Sequence, residues 1–105
     1  MNMVNGYMSI CTILHVLSAM DACRPCISLI ESTNENTFLV YDGLMGLTNL
    51  ASVSDSVRER IIREGGCHHI DFQMLEDNEA LRRAATQAVC NLALSDKFKE
   101  RYLPG

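Results

Sequence analysis

An all-α, right-handed solenoid of about two and a half stacked helical repeats is predicted by an internal echo at fixed period and by amphipathic stripes of helical spacing. The run Asn49-Leu50-Ala51-Ser52-Val53-Ser54-Asp55 returns, one residue shorter, as Asn91-Leu92-Ala93-Leu94-Ser95-Asp96. After each Ser-Asp pair the echo continues, Val57-Arg58-Glu59-Arg60-Ile61 being answered by Phe98-Lys99-Glu100-Arg101-Tyr102. Asn49 and Asn91 stand 42 positions apart, inside the ~40–47-residue period of arrays built from two or three helices per repeat.

The clearest single element starts at Asn78. Leu81, Ala84, Ala85, Ala88, Val89 and Leu92 recur at i, i+3, i+4 and i+7, with Arg82, Arg83 and Gln87 off the stripe, which describes one long amphipathic helix running to about Leu94. Asn78 suits the N-cap, and Glu79 favours the first turn through the helix dipole. The matching upstream helix spans about Phe38 to Ser52 with Leu44, Leu47 and Leu50 inward. Gly43 and Gly46 interrupt it, each costing ~1 kcal/mol relative to Ala in a helix interior. Close approach of a neighbouring helix is the expected compensation.

Between the long helices, Ser54-Asp55 opens a short helix to Glu64, stopped by Gly65-Gly66, one of which supplies a left-handed cap. A medium helix from about Cys67 to Glu76 then buries Ile70, Met74 and Leu75, and Ser95-Asp96 caps a last one. Short helix, glycine stop, medium helix and long helix closed by Asn-Leu-Ala form the order of an armadillo repeat. A full copy covers residues 54–94. Residues 22–53 supply a partial copy, in which Pro25 opens a helix to Ser32, and residues 95–105 begin a third that reaches Leu103. Residues 1–21 are an apolar segment, compatible with a helix, outside the repeat frame. Solenoids need about three repeats for a stable stacked core, so the chain reads as part of a longer array.

Composition narrows the function. The chain is 48 % hydrophobic and 21 % charged, which is globular rather than disordered. Its net charge of −4 argues against a surface that tracks phosphates, and nucleic acid is not an expected partner. Eight of its nine bases fall between Arg58 and Arg101, interleaved with acids; Arg58, Glu59, Arg60, Arg63 and Glu64 read as a solvated helix face. Five cysteines, three inside apolar runs, suit reduced, buried thiols and a cytosolic setting. Met8 to Met20 imitates the apolar core of a signal peptide, but no Lys or Arg precedes it. His15, Asp21 and Arg24 keep the run short of the ~20 residues of a membrane span.

From about Cys23 to Gly105 the chain closely resembles part of the UCS domain of the Unc-forty-five family of myosin-directed chaperones. The carriers are Tyr41-Asp42-Gly43-Leu44-Met45-Gly46-Leu47-Thr48-Asn49-Leu50, Val57-Arg58-Glu59-Arg60-Ile61-Ile62-Arg63-Glu64, Leu81-Arg82-Arg83-Ala84-Ala85-Thr86-Gln87-Ala88-Val89-Cys90-Asn91 and Glu100-Arg101-Tyr102-Leu103. The resemblance implies a cytosolic protein that binds the myosin motor domain and assists its folding and assembly, without enzymatic chemistry or a cofactor. In that family a tetratricopeptide domain recruits a chaperone of the Hsp-ninety class, and nothing in these residues resembles that domain. Met1 to Met20 depart from the family pattern.

Likeness to armadillo proteins also implies a binding strip. The asparagine near the end of each long helix, here Asn49 and Asn91, faces a concave groove and can hydrogen-bond an extended peptide backbone; the competing role for each amide is a bond to a neighbouring helix. Helical geometry places Met45 and Tyr41 one and two turns before Asn49, and Gln87 and Arg83 likewise before Asn91. Met45 is equally suited to the core or to an adaptable apolar contact. The chain contains no Trp, the residue that armadillo receptors for basic import peptides carry one turn before the asparagine.

Two other readings stand beside a myosin chaperone. One is an armadillo adaptor for another cytosolic protein. The other is a thiol or zinc enzyme built on Cys23, Cys26 and Cys67 with His68 and His69. Cys23-Arg24-Pro25-Cys26 has the spacing of a redox pair but lacks a βαβ context. Adjacent histidines on a helix diverge by about 100° and converge poorly on a metal.

Overall fold

In a computed structural model, the described backbone covers residues 2–31 and 36–102, with side chains from Leu17 onward. Leu103 and the side chains of the apolar run up to Val16 lie outside the described residues. Six helices follow in order: α1 (Asn2–Glu31), α2 (Thr37–Ala51), α3 (Asp55–Arg63), α4 (Gly66–Gln73), α5 (Glu79–Leu92) and α6 (Asp96–Tyr102). Among the described residues there is no strand.

The predicted caps take their places. Asn78 accepts from the Leu81 N–H at 3.2 Å and Ser54 from the Val57 N–H at 3.3 Å. Asn36 does the same for α2 through the Phe38 N–H at 3.0 Å. Of the paired glycines, Gly65 carries the left-handed backbone, with φ of 84°. Gly66 instead lies against Ile61, whose Cγ2 would stand 2.8 Å from an added Cβ.

The first helix departs from expectation. Pro25 was expected to open a helix, yet α1 runs through it and across the 21/22 boundary without a break. Proline removes one backbone bond and crowds the preceding turn, a penalty of ~3 kcal/mol in a helix interior. Burial offsets it: Cys23, Ile27 and Ile30 are nearly or wholly buried on the two turns around Pro25, and each such aliphatic side chain contributes ~1.5–3 kcal/mol.

Helix α2 lies between α1 and α5, and α3 and α4 complete the core. Leu44 and Leu47 are fully buried, as are Ile61, Ile70, Ala85, Ala88 and Leu92. Leu50 and Met74, expected inward, are partly buried against this core. Leu75 is a correction, being 84 % exposed. Helix α4 ends at Gln73, two residues before Leu75, so the helical phase that predicted its burial no longer applies.

The two glycines of α2 form its contact with α1. A Cβ on Gly43 would meet Ile30 Cγ2 at 2.8 Å, the Cys26 carbonyl oxygen at 2.9 Å and Leu29 Cβ at 2.9 Å. On Gly46 it would meet the Cys26 Sγ at 2.6 Å and otherwise lie in ordinary contact. Gly43→Ala therefore strikes backbone, and overpacking costs of ~1–3 kcal/mol exceed the ~1 kcal/mol gained in helix propensity. Gly46→Ala strikes only a rotatable thiol. Urea denaturation is expected to show Gly43→Ala clearly destabilised and Gly46→Ala less so.

Candidate partner-binding face

The four last-turn carbonyls of α2, from Thr48 to Ala51, have no donors within the helix. Each finds one elsewhere. Asn49 accepts from the Ser52 N–H at 3.2 Å and Leu50 from the Val53 N–H at 3.0 Å. Ala51 accepts from Arg58 Nη1 of α3 at 2.7 Å, and Thr48 accepts from Asn91 Nδ2 of α5 at 2.9 Å. Two of the four caps thus come from other helices, α3 and α5.

Those bonds reassign two residues. Arg58, read as solvated, turns its guanidinium inward and is held by Asp55 Oδ1 at 2.8 Å. Asn91 takes the role that competed with groove binding. Its half-buried amide fixes α5 against α2, with Ala88 and Ala84 buried one and two turns earlier.

The other predicted residues divide between two surfaces. Asn49 is exposed and lines a cleft of about 570 Å³ between α1 and α2, beside Ser18, Cys26, Gly46 and Leu50. Arg83 and Gln87 are exposed over a separate cleft of about 500 Å³ at α4 and α5, with Met74 and Thr86. Arg83 is paired there with Glu79 at 2.8 Å. Tyr41 is exposed on α2 and Met45 is half-buried against the core. Three of the six residues thus lie on α2 and three on α5, helices that pack against each other.

Sequence reasoning missed the apolar residues left in solvent. Phe38 is 81 % exposed, and Leu39, Phe72 and Leu75 are exposed with it. Phe38 and Leu39 lie on the first turn of α2, Phe72 near the end of α4 and Leu75 in the connection from α4 to α5. Their signal was present: Phe38 and Leu39 fall off the stripe of Leu44, Leu47 and Leu50.

Burial governs the thiols of Cys23, Cys26 and Cys67. Cys23 and Cys67 are buried, and burial pushes each thiol up to about 11 from an ordinary 9.0. Cys26 is also raised by burial. Reactive thiols are displaced the other way. Among the described residues no group of three His, Cys, Asp or Glu side chains is placed to hold a metal, and no helix is long and apolar enough to cross a membrane.

Two measurements follow. Asn91→Ala leaves the Thr48 carbonyl without its donor and should cost ~1–2 kcal/mol in urea denaturation, whereas Asn49→Ala, at an exposed site, should stay within ~0.5 kcal/mol. Equal effects would remove the distinction between the two asparagines. Because the Cys23 and Cys67 thiols titrate higher folded than unfolded, their stabilisation is intact below pH 9.0 and is lost as pH rises through about 11. Denaturation midpoints across that window should fall, and serine at both positions should flatten the decline.

No family model matches the chain, and no solved structure matches it. Over 80 residues it is 39 % identical to Protein unc-45 homolog B of Xenopus tropicalis and of Mus musculus, and 38 % identical to that of Homo sapiens. The matched stretch covers 76 % of this chain and 8 % of each relative. With its all-helical architecture and its repeated Asn-Leu-Ala helix ends, the chain belongs to the Unc-45 family, matching one short stretch of its much longer members.

Proposed function

We propose that this chain is a protein-binding armadillo segment of a myosin chaperone, acting in the cytosol on the motor domain without enzymatic chemistry. The likeness to unc-45 homolog B supports the family. The observation that carries the binding role is the exposure of four large apolar side chains, Phe38, Leu39, Phe72 and Leu75. Large apolar side chains left in solvent supply surface for a partner to cover, and a partly folded client offers matching apolar surface. Tyr41 extends the set along α2, and Asn49, Gln87 and Arg83 add polar contacts on α2 and α5.

The reading applies to binding; recruitment of an Hsp-ninety-class chaperone belongs to a domain these residues do not resemble. The test is light scattering of a heated myosin motor domain, with an unrelated aggregating protein as control. The chain should suppress aggregation of the motor selectively. Phe38→Ser with Leu75→Ser should abolish that suppression while circular dichroism stays unchanged, since both positions are exposed. Equal suppression of both clients, or none from a chain shown to be helical, would overturn the proposal.

A further inference from the structure

The chain carries nine Lys and Arg side chains, and most are neutralised within the fold. Arg24, Arg58, Arg60, Arg83 and Lys99 each face a carboxylate at 2.8 to 3.9 Å, and Arg82 donates to the Glu76 and Asp77 carbonyls at 2.8 and 2.7 Å. The remaining three, Arg63, Lys97 and Arg101, have no carboxylate partner among the described residues. They come from two helices, yet all three line one cleft of about 500 Å³ between α3 and α6. Arg101 has the Tyr102 hydroxyl beside it, a neutral group that leaves the guanidinium charge uncompensated.

The other lining residues narrow the occupant. Buried Ile62 adds an apolar contact, and Glu59 and Glu100 set two carboxylates against the three bases. Those carboxylates repel a polymer of continuous negative charge, such as a nucleic-acid backbone. They leave room for a chain whose acidic groups are spaced apart, because charge of alternating sign selects its complement and rejects a uniform field. The cleft has the ~300–1,000 Å³ of ligand-binding clefts, and a guanidinium can pair a carboxylate through two parallel hydrogen bonds. Helices α3 and α6 carry none of the exposed set Phe38, Leu39, Phe72 and Leu75, so occupation of this cleft does not depend on that set.

We infer that the α3/α6 cleft holds an acidic segment of a partner protein, its spaced carboxylates paired by Arg63, Lys97 and Arg101 and an apolar side chain set against Ile62. The segment supplies the counter-charge that the fold gives to the other six bases. Exposed ion pairs are individually weak and screened by salt, so the contact is reversible and salt-sensitive.

Fluorescence anisotropy of the 105-residue chain with a short labelled peptide, alternating glutamate and alanine around a central leucine, tests this. Binding is expected at low salt and should weaken as salt rises, and the same peptide with glutamine in place of glutamate should not bind. Arg63→Glu and Lys97→Glu should each weaken binding about fivefold or more, and together they should transfer preference to the lysine version of the peptide. Lys99→Glu makes the same change of net charge outside the cleft and should leave affinity within about twofold. Arg63, Lys97 and Lys99 are exposed, so circular dichroism should stay unchanged in all three variants. No binding by a helical chain, equal binding of the glutamine peptide, insensitivity to Arg63→Glu and Lys97→Glu, or full displacement of the peptide by an equal concentration of inorganic phosphate would overturn the inference.

Discussion

The last turn of α2 is the constraint on which the rest of this structure hangs. A helix end leaves four carbonyls without intrahelical donors, and in α2 two are served by Ser52 and Val53 just beyond it while Arg58 and Asn91 serve the others from α3 and α5. Those two bonds fix α3 and α5 against α2. Burial supplies most of the free energy, but burial is non-directional. The register between the repeats comes from these directed bonds.

On its other side α2 meets α1 through glycine. Gly43 brings the backbones so close that a single methyl group would strike the Cys26 carbonyl, and this proximity lets Ile27 and Ile30 of α1 reach the core beside Leu44 and Leu47. The packing explains why α1 stays helical through Pro25. A proline penalty confined to one turn is outweighed when the turns around it bury Cys23, Ile27 and Ile30 together. With α1 on one side and α5 on the other, α2 is the layer that holds the two together.

Much of the fold was legible because helix signals are local. The caps at Ser54 and Asn78, the stop at Gly65 and the stripe from Leu81 to Leu92 each depend on residues within a few positions of one another, and each appears where the pattern placed it. The candidate site was less legible. Asn49 and Asn91 are the same residue in the same local frame, yet one is exposed beside an open cleft and the other is bonded across 43 residues to Thr48. Arg58 looked solvated among its charged neighbours because the carbonyl that draws it inward lies at the end of another helix. Leu75 looked buried because its phase was read along a helix that ends two residues earlier.

The sequence by itself determined the helices, their order, their period and the family to which the chain belongs, since these rest on spacing, capping and identity along one strand of chain. Only the tertiary structure decided which copy of a repeated residue holds the repeats together and which faces outward. Two identical residues at equivalent positions differ only in whether another helix lies beside them, and that is a property of the stack rather than of the repeat.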